Sequence, residues 1–205
     1  MSLIDFLIKD GWLKTPRIIE AFRKIKRADF MSDDIKNLSE LNEALPIGHG
    51  QTISQPSTVA FMLEQLQPKT GQKILDIGSG SGWTSALLAH IVGGQGKIIA
   101  VEIIPELKEF GEKNTAKYNF AEKGIVKFIC ADANKGYKKE APYDRILASA
   151  AVQEKIPQAW KEQLKVNGRI VTPIRNSIWI LTKKSKKDFK EIERPGFAFV
   201  PLVSG

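Results

Sequence analysis

The chain has 205 residues, 42% hydrophobic and 26% charged, with 31 lysines and arginines against 23 acidic residues and a formal net charge of +8. That length accommodates one well-buried α/β unit with a modest extension and excludes two independent enzyme domains, while the composition excludes extensive disorder and fibrous structure. A single cysteine, Cys130, excludes an internal disulfide and a cysteine-built metal site, and no run approaches the roughly 18 apolar residues of a membrane span.

At the N-terminus, Asp5, Lys9 and Asp10 interrupt the apolar residues, which does not fit a secretory leader; a cytoplasmic protein off the membrane is expected. Thr15 is a candidate helix N-cap with Pro16 at the first helical position, followed by Ile18, Ile19, Phe22 and Ile25 at helical spacing. Arg17, Arg23, Lys24, Lys26 and Arg27 form a basic cluster on this helix, and Lys183, Lys184, Lys186, Lys187 and Lys190 form another near the far end. Neither carries interleaved aromatics as base-stacking platforms, so both read as solvated faces and nucleic acid is not an expected partner. Residues 44–56, with two glycines and two prolines, suit neither a long helix nor a central strand, and Val59, Met62, Leu63 and Leu66 then mark another helix.

From Lys73 the pattern changes to short β-rich runs at Lys73–Ile77, Lys97–Val101, Val126–Cys130, Arg145–Ala148 and Arg169–Pro173, with helical segments near Trp83–Val92, Pro105–Tyr118 and Lys155–Gln163. Such alternation implies right-handed crossovers and an α/β fold with a mostly parallel sheet covered by helices on both faces. Ile178–Thr182 and Phe197–Leu202 are predicted to close it as an antiparallel pair. The organisation is one domain over 1–205: N-terminal helices and a loop to residue 70, a βα core over 71–175, and C-terminal strands over 176–205. Cys130, in an apolar run, is expected to be a buried packing residue.

The run Ile74-Leu-Asp-Ile-Gly-Ser-Gly-Ser-Gly-Trp83 reads as a buried strand, a glycine-rich turn and a helix start, the usual ligand position at the carboxyl edge of a parallel sheet. Gly78, Gly80 and Gly82 would let a ligand approach the backbone. A dinucleotide fingerprint needs a small residue where Trp83 stands, so an NAD site is not expected. Glu102, 24 positions after Gly78, can accept hydrogen bonds from ribose hydroxyls, and Asp132 can accept from an adenine amino group or simply form a turn. Together they favour an adenosyl ligand without a pyrophosphate, with S-adenosylmethionine the leading candidate and no metal.

Across nearly its whole length the chain resembles the protein-L-isoaspartate O-methyltransferases. The most specific matching segment is Leu45-Pro-Ile-Gly-His-Gly-Gln-Thr-Ile-Ser-Gln-Pro56. Others are Leu75–Gly82, Val101–Leu107, Ala141–Ile146, Ala148-Ser-Ala-Ala151, Leu164–Pro173 and Phe199–Val203, in matching order and spacing. The resemblance implies a class I S-adenosylmethionine-dependent, Rossmann-like methyltransferase. It would methylate the free α-carboxylate of L-isoaspartyl residues in peptides and damaged proteins, leaving S-adenosylhomocysteine as product. The methyl ester would then collapse unaided to a succinimide that hydrolyses partly to normal aspartate.

By the same resemblance, Ser54 is the active-site hydroxyl. Thr52, Ile53 and Ser54 would help enclose the cofactor, and Gly78, Ser79, Gly80, Ser81, Gly82, Glu102, Asp132 and Ala133 would hold it. Ile47, His49, Gln51 and Val203 would line the peptide groove. Against the family pattern, Ala133 replaces a common glycine, Trp83 a smaller or tyrosine side chain, and Asn167 the first glycine of a Gly-Gly turn, which Asn tolerates through positive φ. The sequence ends soon after Val203, so the contacts that a longer C-terminal tail makes in the family are not expected from it. A monomer is expected. The alternatives are an RNA methyltransferase using the basic surface and a catalytically silent S-adenosylmethionine-binding module.

Overall fold

The computed structural model describes residues 1–203. Three helices and a hairpin precede the sheet: α1 (Leu3–Lys9), α2 (Pro16–Lys24), β1 (Leu45–Gly48), β2 (Gln51–Ile53) and α3 (Pro56–Leu66). Ile18, Phe22 and Ile25 are buried as their spacing predicts, whereas Ile19 is only partly covered. Thr15 does precede α2, but its hydroxyl does not cap the helix. It donates instead to the Glu64 carboxylate at 2.6 Å, which also accepts from the Lys14 and Thr15 amides and so ties α2 to α3.

The remaining elements are β3 (Lys73–Ile77), α4 (Trp83–Val92), β4 (Lys97–Glu102), α5 (Pro105–Ala116), β5 (Val126–Cys130), β6 (Tyr143–Ala148), α6 (Gln158–Gln163), β7 (Leu164–Ile174), β8 (Ser177–Lys183) and β9 (Phe189–Pro195). Seven strands form one sheet in the order β5-β4-β3-β6-β7-β8-β9, parallel from β5 through β7 and antiparallel beyond. Successive side chains of β3 go to opposite faces, as a two-residue period requires. Ile74 joins a core with Ile18, Phe22, Leu63 and Leu87 from the helices, while Leu75 and Ile77 join a second core around Trp160 of α6. Leu63 and Leu66 of α3 are fully buried, each contributing about 1.5–3 kcal/mol of hydrophobic stabilisation.

Four sequence expectations need correction. The strand that pairs with β8 is β9, not Phe197–Leu202. β9 looks like a linker because Lys190, Glu191, Glu193 and Arg194 are charged, but exposed charges are what an edge strand carries to resist further pairing. Gly196, at φ +97°, then turns the chain away, and residues 197–202 run to the carboxyl edge of the sheet, where Ala151 N–H donates to Val200 O and Leu202 N–H to Ala151 O, both at 2.8 Å. The last helix starts at Gln158, after Pro157, rather than at Lys155. Cys130 is exposed, because β5 is the opposite edge strand. The basic clusters are not wholly solvated: Arg27 and Lys183 are buried, and the Lys183 ammonium donates to the Lys161 and Leu164 carbonyls at 2.6 and 2.8 Å. Asn167 does adopt positive φ, at +63°. Among the described residues, no helix is long and apolar enough to cross a membrane.

Candidate active site

Strand order reverses at β3, with β4 on one side and β6 on the other, and crevices for ligands open at the carboxyl ends of strands at such points. An open cleft lies there, enclosing about 730 Å³ including the space at its mouth. Its floor is the turn after β3. Gly78 N–H and Ser79 N–H both donate to Val101 O, at 2.9 and 3.2 Å, which anchors the turn to β4, and Gly82 N–H closes it on Ser79 O at 2.8 Å.

The three glycines do different work. Gly78 and Gly80 line the cleft, as expected. Gly82 does not: at φ +84° it lies behind, and a Cβ there would meet the Gly111 carbonyl at 2.6 Å and Thr115 Oγ1 at 2.8 Å. Gly111 reciprocates, since its own Cβ would fall 2.7 Å from Gly80 O. The closeness of the turn to α5, rather than ligand approach, is what requires Gly82.

Glu102, at the end of β4, is nearly fully buried. One carboxylate oxygen accepts from Gly80 N–H at 2.9 Å and the other from Ile103 and Ile104 N–H at 2.9 and 3.1 Å. These bonds lock it between the turn and the β4 end while it still lines the cleft. Beneath it, Asp76 is completely buried and accepts from Ser85 Oγ at 2.6 Å. Burial pushes the Asp76 carboxyl up to about 7, with Ser85 opposing and Glu102 adding to the rise.

Two buried polar atoms on the cleft wall, Ser79 Oγ and Trp83 Nε1, have no partner among the described residues. Such groups are costly unless something polar meets them, so the wall fits a polar ligand better than an empty apolar slot. S-adenosylmethionine fits this donor and acceptor set: Ser79, Gly80, Ser81 and Glu102 line its polar side, and Ile77, Val101, Ile104, Leu107 and Ala133 supply apolar surface.

The opposite wall is the β1–β2 hairpin, where Leu45 pairs with Ile53 and Pro46 with Thr52. Ile47, Gln51, Thr52, Ile53 and Ser54 face the cleft, as does Val203. His49 does not; it occupies the exposed tip between Gly48 and Gly50, with all three residues at positive φ. Asp132 is also off the wall, because its carboxylate accepts from Asn134 N–H at 2.8 Å and caps the turn over 133–135, leaving Ala133 to line the cleft. Ser81 lines the cleft with its neighbours.

Several lining residues were not singled out from the sequence: Ser149 and Ala150 after β6, Ile103, Ile104 and Leu107 after β4, and Val200–Leu202 from the C-terminal segment. The small residues of Ala148-Ser-Ala-Ala151 following a strand were a readable signal. The C-terminal wall lies in the family-matching segment Phe199–Val203, but no periodicity marked its place against the cleft, which it owes to its two hydrogen bonds to Ala151.

A second, wider groove adjoins the cleft and shares Thr52, Ser54, Ser149 and Val200 with it. Its outer walls include Phe6, Trp12, Phe197 and Phe199, with Asp10 and Asn42 as polar members. Ser54 therefore stands where the cleft meets the larger groove, and its hydroxyl has no hydrogen-bond partner among the described residues.

Comparison with known proteins gives the family of the chain. The family model described as protein-L-isoaspartate(D-aspartate) O-methyltransferase matches residues 1–205. A protein-L-isoaspartate O-methyltransferase from Methanopyrus kandleri is 38% identical, covering 98% of this chain and 89% of its own. Among solved structures, a Plasmodium falciparum protein described as a protein-L-isoaspartate O-methyltransferase, crystallised with S-adenosyl-L-homocysteine, superposes with a TM-score of 0.88 at 21% identity over 98% of this chain and 96% of that one. Another protein-L-isoaspartate O-methyltransferase gives a TM-score of 0.88 at 26% identity, over 98% of this chain and 65% of that one. The sheet is that of the class I S-adenosylmethionine-dependent methyltransferases, and with a match that runs from the first helix through the hairpin that precedes Ser54 to the C-terminal wall, the chain belongs to the protein-L-isoaspartate(D-aspartate) O-methyltransferase family.

Proposed function

We infer that the protein transfers a methyl group from S-adenosylmethionine to the free α-carboxylate of L-isoaspartyl residues in damaged proteins and peptides. The observation that carries this reading is the position of the Ser54 hydroxyl, unpartnered among the described residues, at the junction of the cleft beyond the glycine turn and the larger groove that adjoins it. When bound, S-adenosylmethionine supplies a sulfonium-activated methyl group. The work left to the chain is to bring a carboxylate into line with it and keep water out.

An α-carboxylate is ionised at neutral pH, so the acceptor needs no general base. Opposite charges cancel as the methyl moves, and an arginine or lysine gripping the acceptor would stabilise the charged ground state more than the transition state. The cleft agrees with that requirement: among the described residues, no lysine or arginine lines it. A neutral hydroxyl such as that of Ser54 orients one acceptor oxygen with less of this penalty. In-line positioning and exclusion of water supply most of the acceleration, on the order of 7 kcal/mol when alignment is good. Thr52, Ile53 and Ser54 close the cleft from the hairpin side, Ser79 to Ser81 and Glu102 form its polar floor, and Ile47, Gln51 and Val203 sit where a peptide would enter.

The test is methyl incorporation from labelled S-adenosylmethionine into matched isoaspartyl and aspartyl peptides. Base-labile label on the isoaspartyl peptide alone is the expected result. Equal labelling of both peptides, or none, overturns the reading. Salt-sensitive transfer to RNA would favour the RNA methyltransferase instead, and cofactor binding without transfer to any acceptor would favour the silent binding module.

A further inference from the structure

We propose that Arg27 is a positioning residue for methyl transfer, fixing the Ser54 peptide and the Trp83 wall of the cleft relative to each other. The proposal rests on the role given to Ser54 above. Arg27 opens the turn Arg27–Phe30, is 6% exposed, and lies outside both the cleft and the adjoining groove. Its guanidinium donates to four carbonyls: Nη1 to Ser39 at 3.2 Å and Leu41 at 3.0 Å, and Nη2 to Glu43 at 2.7 Å and Ser54 at 3.3 Å. The same group lies over the Trp83 ring, 5.6 Å from its centroid. One side chain thus touches the backbone of the candidate active-site serine and a wall of the cofactor cleft.

This arrangement is expensive as mere packing. Burial lowers the Arg27 pKa to about 10, with Glu40 opposing, so the group stays charged at neutral pH inside the protein. Among the described residues no carboxylate pairs with it; the Glu40 carboxylate accepts instead from Leu3 N–H at 3.1 Å. An apolar side chain would fill the volume without desolvating a charge. What only a guanidinium provides is a planar fork of donors able to gather carbonyls from separate chain segments, which the compact ammonium of lysine cannot reproduce. Ser54 needs such an anchor, since it lies in the two-residue gap between β2 and α3. Holding its carbonyl fixes the direction in which its side chain leaves the backbone. Trp83 on the other side of the guanidinium makes the cleft wall the reference for that direction.

The test combines Arg27→Lys with Ser54→Ala, reading kcat, KM for an isoaspartyl peptide, calorimetric affinity for S-adenosylhomocysteine, and amide hydrogen exchange of residues 51–57. Arg27→Lys is expected to lower kcat about tenfold or more while KM and cofactor affinity stay within about threefold, because positioning is lost rather than binding. In the Ser54→Ala background it should cost less than about twofold more, since residues acting as one unit are not additive. Exchange over 51–57 should rise while that of β3 and β4 does not. Full additivity, an unchanged kcat, or unchanged exchange over 51–57 overturns the proposal. Should the wild-type protein transfer no methyl to the isoaspartyl peptide, the functional reading fails and the exchange measurement alone decides whether Arg27 anchors the segment. Arg27→Gln is the second variant; if neither it nor Arg27→Lys folds, Arg27 acts in stability alone and the proposal falls.

Discussion

The two walls of the cleft are built by different means. The cofactor wall hangs on the sheet: β3 pairs in parallel with β4 and β6, the Gly78–Gly82 turn is anchored to Val101 O, and Glu102 gathers three backbone N–H groups. The acceptor wall hangs on side chains. β2 has three residues, its pairing with β1 is irregular, and the segment beyond is held by Arg27 and by Asn42, whose carboxamide oxygen accepts from Ser57 N–H at 2.9 Å. A ladder shares strain among many bonds, whereas a side-chain anchor concentrates it in one residue. Methyl transfer needs both walls in register, because misplacement by about 1 Å can cost on the order of a hundredfold in rate. The cofactor wall should therefore fail by unfolding, and the acceptor wall by losing turnover while the fold survives.

Gly82→Ala tests the first half and has the largest expected effect. The new Cβ would fall 2.6 Å from a backbone carbonyl in a residue held at φ +84°. Positive φ for an L-residue costs roughly 1–2 kcal/mol and overpacking roughly 1–3 kcal/mol. A loss of about 3 kcal/mol or more in denaturant unfolding is expected, or failure to accumulate folded protein. Gly80→Ala is the contrast: at φ +49° it carries a similar backbone cost of roughly 1–2 kcal/mol, but its Cβ would meet only the tip of Ile47 at 3.3 Å, a flexible side chain that can move, so the overpacking cost is absent and the fold should persist with weakened cofactor binding. Equal destabilisation by the two substitutions would remove the distinction between a packing glycine and a ligand-facing one.

Ser54→Ala tests the second half. It deletes a hydroxyl that has no hydrogen-bond partner among the described residues, so the melting temperature should barely change. Cofactor affinity should stay within about twofold, while kcat falls about a hundredfold, the scale on which misplacement of a reacting atom by about 1 Å lowers a rate. Turnover within about threefold of wild type would show that this hydroxyl does not orient the acceptor.

The same contrast governs what could be read from the sequence. β3 through β7 and the glycine turn were legible because a parallel sheet writes its strands as apolar runs and its ligand turn as glycines at fixed spacing. β9 was hidden by the charges that protect an edge, and Cys130 was misplaced because an apolar run does not disclose that its strand is the outermost. Ser54 was found by resemblance to a family and by no periodicity. Arg27 reads as part of a solvated cluster, since its four carbonyl partners lie 12 to 27 residues away in segments of no regular structure. Backbone-built features leave local patterns, and side-chain anchors across long separations do not.

Asp76 sharpens the comparison from beneath the cofactor wall, with a smaller effect. Its carboxyl has an ordinary value of 3.8 and titrates at about 7 in the folded protein, chiefly because burial disfavours the charged form. Between about pH 4 and pH 7 the unfolded chain has released this proton while the folded chain retains it, so the unfolded state binds fewer protons and stability falls as pH rises through that window. Above pH 7 both forms are ionised and the loss levels off. Asp76→Asn keeps an acceptor for Ser85 Oγ and removes the titration. The variant should therefore gain on wild type from pH 5 to pH 8, by about 2–3 kcal/mol in denaturant unfolding. A difference independent of pH would mean that Asp76 does not hold its proton in the folded state. Because the site lies under the sheet-built wall and away from the Arg27 anchor, exchange over 51–57 should be the same in both proteins across this range.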